Sequence, residues 1–313
     1  MRISVVFLVF LLSLGLAGAV EKQKVILDCD LGDDIDDAFA VGLILISPEF
    51  EVLGLVMDYG ATDRRAKVAC RMLDEIGMEN VPVVVGRKTG EGKAPQLDWG
   101  KGYEKVQPAE EKAADFIIRN LRENPGEVIL FTVGPVPNLQ DVMEKDPEAL
   151  KLAKRVVSMF GSFYMGYGRN PIPSAEWNVV ADAKAAQSFV SSGADFLFAG
   201  LDVTTFVNLD RDNRDTLTQR NSPMTDALMG LYTLWANEQS PERDPILYDA
   251  VAIGMVLWPE LFRTRKAHVK VTDEGYTVID ESREPNCEIG MSIRNDEFIR
   301  RIMQRYLQFT IDD

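Results

Sequence analysis

The sequence predicts an α/β protein in which a mainly parallel central sheet is flanked by helices. Short apolar runs alternate with longer amphipathic stretches, and no internal repeat or low-complexity linker interrupts this alternation. The composition agrees, because 46% hydrophobic and 27% charged residues are ordinary for a globular protein. We therefore expect a single domain over residues 20–313, with a helical and hairpin portion at its C-terminal end.

Six apolar runs are predicted to form the strands. Each is rich in Val, Ile, Leu or Phe and is shorter than a typical helix, as expected for strands that are buried on both faces. They cover residues 24–27, 52–56, 81–85, 128–133, 156–160 and 196–201.

The amphipathic stretches between and after these runs are predicted to be helices. Their apolar residues recur at helical spacing, so that one face of each can pack on the sheet. They cover residues 38–46, 64–76, 109–122, 183–191, 225–237, 247–258 and 295–307, and a hairpin is expected over 268–279.

The first 19 residues have the pattern of a signal peptide. Arg2 precedes an apolar run over residues 3–16, and Ala17 and Ala19 are the small residues that a signal peptidase requires. This run is shorter than the roughly 20 residues of a membrane-spanning helix, although an uncleaved anchor is the alternative. We expect cleavage near Ala19, export to the periplasm or the medium, and no membrane association afterwards.

Charge and composition exclude several classes of protein. The net charge of −15 argues against nucleic acid as a partner, because binding to its backbone depends on Lys and Arg. The only histidine, His268, excludes a His-ligated zinc site and argues against a Ser-His-Asp triad. Three cysteines provide no disulfide framework.

The strongest local feature is an acidic cluster, in which six of the residues 28–37 are aspartates. It follows the first predicted strand, and ligands of open α/β sheets bind at the carboxyl ends of strands. A hard cation such as Ca²⁺ suits crowded carboxylates, whereas Gly32 at the fifth position excludes an EF-hand. One alternative is a solvated turn before a helix. Another is a phosphatase that uses Asp28 as nucleophile, although such enzymes have a threonine soon after the second aspartate and this chain does not.

Five separate segments resemble the inosine/uridine-type nucleoside hydrolase family. They run in the family's order over residues 24–257, which is most of the chain. The segments read DCDLG and DDA at 28–32 and 36–38, VGPVPNL at 133–139, NPIPSAEWN at 170–178, GLDVT at 200–204, and LYDAVA at 247–252.

The resemblance implies a nucleoside hydrolase-like fold and a Ca²⁺ ion at the carboxyl ends of the strands. The implied ligands are the carboxylates of Asp30, Asp37 and Asp249 and the backbone carbonyl of Val133. Asp30 would also be the general base for a water that attacks C1′ of a ribonucleoside. The implied partners of the ribose hydroxyls are Asp36 and Asn178 for the 2′-hydroxyl, Asp249 for the 3′-hydroxyl, and Asn170 and Glu176 for the 5′-hydroxyl.

The chain departs from the family pattern in three places. Asp33 and Asp34 are extra residues before the Asp36-Asp37 pair, and Leu31 replaces a proline. Tyr248 stands where some members have the histidine that protonates the leaving base. Either Tyr248 donates this proton, or aromatic rings stack on the base. The candidates for stacking are Tyr248, Trp177, Trp235, Trp99 and Tyr103.

Several questions remain open from the sequence. The base specificity is one, with a slight preference for purines, and an N-ribosyl substrate other than a nucleoside is possible. A homo-oligomer is also possible. A ribose- or nucleoside-binding protein without turnover is the main alternative to an enzyme.

Overall fold

The computed structural model describes residues 22–91, 94–240 and 243–311, so the predicted signal peptide lies outside the described residues. Ten strands are described. Their bounds are β1 (Gln23–Cys29), β2 (Phe50–Met57), β3 (Val83–Val85), β4 (Ile129–Thr132), β5 (Arg155–Met159), β6 (Phe196–Ala199), β7 (Phe262–Ala267), β8 (Val269–Val271), β9 (Thr277–Ile279) and β10 (Cys287–Ile293).

Eleven α-helices are described, together with short 3₁₀ turns. Their bounds are α1 (Asp36–Leu45), α2 (Thr62–Glu75), α3 (Ala113–Glu123), α4 (Pro137–Lys145), α5 (Trp177–Val180), α6 (Ala183–Val190), α7 (Leu201–Thr204), α8 (Arg211–Arg220), α9 (Pro223–Glu238), α10 (Tyr248–Leu257) and α11 (Asn295–Gln308). Within the described ranges, none of these helices combines the length and the apolar character needed to cross a bilayer.

Eight of the strands form one sheet in the order β3-β2-β1-β4-β5-β6-β10-β7. All neighbouring pairs are parallel except β10 and β7, which are antiparallel. This confirms the predicted mainly parallel sheet flanked by helices. The predicted hairpin is also present, because β8 and β9 pair in antiparallel register from Val269↔Ile279 to Val271↔Thr277.

The C-terminal third differs from the expectation of helices and one hairpin. Strands β7 and β10 join the central sheet and extend it at one edge. Strand β7 reads FRTRKA and has only Ala267 fully buried, so it lacks the apolar run by which the other strands were predicted. Charged side chains are typical of an edge strand, because they discourage pairing with a further chain.

Successive side chains of the central strands point to opposite faces of the sheet and so build two cores. On β1, Val25 and Leu27 pack under α1, α2, α9, α10 and α11, whereas Ile26 packs under α3, α4 and α6. Helix α1 is buried along its whole length and packs against α10. Both of these helices begin at the edge where the parallel strands end, and acidic residues lie in their first turns.

Candidate active site

Two buried helices bring three carboxylates together at the carboxyl edge of the sheet. Asp36 and Asp37 lie in the first turn of α1, and Asp249 lies in the first turn of α10. One carboxylate oxygen from each residue lies within 4.8 Å of the other two. The backbone N–H of Asp249 donates to Asp36 Oδ2 at 3.3 Å, which ties the two helix starts together. We call these three residues the carboxylate triad.

Asp30 and Val133 line the same pocket as the carboxylate triad. Asp30 follows β1, and Val133 follows the neighbouring strand β4 and donates its N–H to the Asp28 carbonyl at 2.9 Å. The carbonyl of Val133 accepts a hydrogen bond from Asn178 Nδ2 at 2.7 Å. A carbonyl oxygen has two lone pairs, so this bond leaves one available to a ligand.

The electrostatics of these carboxylates favour a cation. Burial raises the pKa of each member of the triad well above the usual range, and repulsion between neighbouring carboxylates adds to the rise. Burial also raises the pKa of Asp30 to about 6, which the Arg65 guanidinium opposes. Asp37 Oδ1 is buried and has no hydrogen-bond partner among the described residues. An all-oxygen set with an unpartnered buried atom fits a hard divalent cation.

Glu176 and Asn178 form the wall beside the triad. Glu176 caps the short helix α5, because its Oε1 accepts the N–H of Asn178 at 2.8 Å and its Oε2 accepts the N–H of Gly161 at 2.9 Å. Burial raises the pKa of Glu176 to about 7, although these backbone donors oppose the rise. The Asn178 amide donates to the carbonyls of Val133 and Met159, which fixes its orientation.

Aromatic side chains surround the mouth of the pocket. Trp177 is 47% exposed and packs edge-to-face on Tyr59, with ring centroids 6.0 Å apart. Tyr248 packs in the same way on Tyr167, at 6.2 Å. Trp235 also lines the cavity, which has a volume of about 380 Å³. This volume lies within the usual range for small-molecule sites.

Most of the predicted site residues meet in this pocket, but Asn170 does not. It is exposed, lies outside the pocket lining, and accepts the N–H of Ile172 at 3.0 Å through its side-chain oxygen. Two of the five aromatic candidates, Trp99 and Tyr103, are also absent from the lining. His268 lies at the start of the C-terminal hairpin, where its Nδ1 contacts the carbonyl of Glu284.

Other residues of the pocket had no role assigned from the sequence. The extra residues Asp33 and Asp34 line it together with Gln239 and Arg243. Gln96 Nε2 donates to the backbone carbonyl of Asp34 at 2.7 Å and so holds the longer turn. Gln239 and Arg243 lie at and beyond the end of α9, where the sequence has no strand end or motif to mark them.

Asp58 is a further buried carboxylate, which interacts with Asp28 and lies outside the pocket lining. It directly follows β2, and repulsion from Asp28 adds to burial in raising its pKa. Asp28 is held by Asn138, whose Nδ2 donates to Asp28 Oδ2 at 3.0 Å. The rule that sites lie at the carboxyl ends of parallel strands could have identified Asp58.

The fold and the pocket together define an α/β protein with a cluster of buried carboxylates, able to hold a cation, at the carboxyl edge of a parallel sheet. The family model of the inosine-uridine preferring nucleoside hydrolases matches residues 25–300. The chain belongs to this family, which is in general metal-dependent. It is therefore a hydrolase that acts on N-glycosyl compounds, with nucleoside hydrolase activity on ribonucleosides.

Individual relatives agree with this assignment. Uridine nucleosidase 1 of Arabidopsis thaliana is 30% identical over 82% of this chain and 81% of its own. The pyrimidine-specific ribonucleoside hydrolase RihA of Citrobacter koseri is 27% identical over 90% of this chain and 97% of its own. The plant nucleoside hydrolase PpNRh1 shares the fold, with a TM-score of 0.82 at 24% identity over 92% of this chain and 100% of its own.

Proposed function

We propose that this protein is a calcium-dependent ribonucleoside hydrolase that acts outside the cytoplasm. The observation that carries the catalytic part is the carboxylate triad with Asp30 beside it in one pocket. Export is supported only by the sequence of residues 1–19. Uridine is the first substrate to test, because two similar proteins are named for uridine or pyrimidine specificity.

Asp30, Asp37, Asp249 and the carbonyl of Val133 would hold the cation, and Asp36 lies close enough to the triad to contribute. Ca²⁺ suits this set, since it accepts six to eight oxygen ligands of flexible geometry. When bound, such an ion lowers the pKa of a coordinated water and orients ribose hydroxyls.

The protein's own groups supply the remaining steps. Asp30 accepts the proton of the attacking water as C1′ develops oxocarbenium character and the bond to the base breaks. Asn178, held by two backbone carbonyls, presents its side-chain oxygen to the ribose. The buried Glu176 adds a second fixed group on the same wall. Fixed groups of this kind lower the barrier because they need no reorganisation during the reaction.

The leaving base is expected at the aromatic mouth of the pocket. Burial raises the pKa of the Tyr248 hydroxyl, and the negative charge of Asp36 raises it further. A hydroxyl in this environment is a weak proton donor. The route that we favour is therefore stacking by Tyr248 and Trp177, which raises the basicity of the base so that it takes its proton from solvent water as it leaves.

The test is sugar release by the purified mature protein from a panel of purine and pyrimidine ribonucleosides. We expect release that a chelator removes and added Ca²⁺ restores. Asp226→Asn is a suitable control, since Asp226 lies in the first turn of another helix, α9, and is exposed. It should match the wild type.

Two results would contradict this proposal. Release that survives complete removal of divalent ions would exclude the metal-dependent mechanism. If folded, Ca²⁺-loaded protein released no sugar from any nucleoside, a binding protein or a different N-ribosyl substrate would be favoured instead.

A further inference from the structure

Arg65 lies on α2, next to Asp30 and outside the pocket lining. Its side chain is buried, and Nη1 donates to the backbone carbonyls of both Asp30 and Leu31, the latter at 2.9 Å. Nε donates to the carbonyl of Tyr59 at 2.8 Å. Nη2 lies 4.0 Å from Asp30 Oδ2. A single guanidinium thus contacts both the backbone and the side chain of the proposed general base.

The backbone of the turn at Tyr59 and Gly60 lies close against this guanidinium. Tyr59 and Gly60 both have left-handed backbone conformations, with φ values of 50° and 66°. A Cβ atom at Gly60 would lie 3.2 Å from Arg65 Nη2, so a larger residue would crowd the arginine. The ring of Tyr59 packs on Trp177 at the mouth of the pocket. Arg65 therefore joins the turn after β1 to the turn after β2, and each turn supports a different part of the site.

The geometry requires an arginine in particular. Three carbonyl oxygens and one carboxylate lie around a planar group whose N–H donors point in fixed directions. A lysine would keep the positive charge but has a single side-chain nitrogen. That nitrogen cannot donate to the carbonyls of both turns from two separate positions, as Nε and Nη1 of the arginine do. The next arginine along the helix, Arg71, lies away from the pocket. It donates to the carbonyl of Trp99 and pairs with Glu75.

We propose that Arg65 is a positioning residue for Asp30: it holds the turn after β1 so that the Asp30 carboxylate faces the attacking water. This inference rests on the proposed function, because it takes Asp30 as the general base. Arg65 itself is buried, lies outside the pocket lining and is not expected to touch the nucleoside.

The test compares Arg65→Met and Arg65→Lys with the control Arg71→Met. For a ribonucleoside that the wild type hydrolyses, we expect Arg65→Met to lower kcat about 100-fold, since small displacements of a catalytic group have effects of this size. KM should change much less, because the groups that face the ribose are intact. Arg65→Lys should lie between the wild type and Arg65→Met, and Arg71→Met should retain the wild-type kcat.

A second readout separates positioning from general damage. Arg65 makes its hydrogen bonds and ion pair to the segment of Asp30 and Leu31 and to Tyr59, and not to the carboxylate triad. Because Asp30 is itself a proposed Ca²⁺ ligand, Ca²⁺ alone should still raise the Tm of Arg65→Met, but by less than it raises the Tm of the wild type. Loss of this shift would mean that the whole site has collapsed and would overturn the proposal. A folded Arg65→Met protein with normal kcat, or with a change in KM alone, would overturn it as well.

Two further outcomes are also decisive. If Arg65→Met does not fold, Arg65→Lys is the variant that tests the proposal. A wild-type kcat in Arg65→Lys would then show that the guanidinium is not needed. Failure of the proposed function is distinguishable, because the wild type itself would then release no sugar.

Discussion

The floor and the mouth of the pocket are built in different ways. The floor consists of carboxylates at the starts of two buried helices and after β1, and the backbone N–H of Asp249 donates to the Asp36 carboxylate. The mouth consists of aromatic side chains on turns and helix ends, and Trp177 there is half exposed. Buried carboxylates in fixed positions can stabilise the charge that develops in the transition state. Exposed aromatic rings can change position and so accommodate different bases. We infer that the floor determines turnover and that the mouth determines which base is accepted.

The strongest test of this division is Asp30→Asn in the floor. Asparagine keeps the size of the side chain but cannot accept a proton from the attacking water. We expect kcat to fall about 10³-fold or more, while the fold is retained. Circular dichroism and steady-state kinetics on one preparation measure both effects. A variant with near-normal turnover would show that Asp30 is not the base.

Glu176 offers a test of the wall that joins floor and mouth. Its pKa is about 7 in the folded protein against an ordinary value of 4.5, so the folded state binds the proton more tightly than the unfolded state does. Its contribution to stability is therefore complete below pH 4.5 and is lost as the pH rises through 7.

Relative to Glu176→Gln, the free energy of unfolding of the wild type should fall by about 3 kcal/mol across this range. Denaturant titrations at several pH values, in chelator, measure the difference between the two proteins. Parallel pH profiles would show that Glu176 titrates normally. A difference that grew in the opposite direction would mean that burial does not dominate its pKa.

These two predictions concern residues that the sequence itself indicated, and the reason is physical. Asp30 follows a short apolar run that predicts a buried strand, so its place at the carboxyl edge could be predicted. Glu176 and Asp249 are far from it in the chain, and only the resemblance to a family linked them to the same site. No local pattern in the sequence predicts that α10 begins beside α1.

Other features could not be read from the sequence because their local patterns are ambiguous. Helix α2 carries Arg64, Arg65, Lys67 and Arg71, and nothing in their spacing shows that Arg65 alone of these four is buried. Strand β7 resembles an exposed loop, because it lies at the edge of the sheet and is charged. The burial of Arg65 and the strand conformation of β7 both depend on tertiary packing.

Tyr248 tests the role assigned to the mouth. Its ring packs on Tyr167, and its raised pKa makes it a weak acid, so Tyr248→Phe should lower kcat by about 10-fold at most. Tyr248→Ala removes the ring and should have the larger effect. Kinetics with one purine and one pyrimidine nucleoside would show both. A loss of about 100-fold or more in Tyr248→Phe would instead identify the hydroxyl as the proton donor, and part of the chemistry would then belong to the mouth.

The smallest effect is expected at Asn170, where the resemblance and the geometry disagree. The resemblance implies a contact with the 5′-hydroxyl, yet the side chain caps its own loop at Ile172 and lies outside the pocket lining. If the loop keeps this arrangement when a nucleoside binds, Asn170→Ala should change kcat/KM by about twofold at most, and a 5′-deoxynucleoside should respond in the same way as the parent. If instead kcat/KM falls by about tenfold or more for the parent but not for the 5′-deoxy compound, the loop must move to bring Asn170 onto the sugar. A residue outside the pocket lining would then supply part of the ribose binding that we assign to the floor and its adjoining wall.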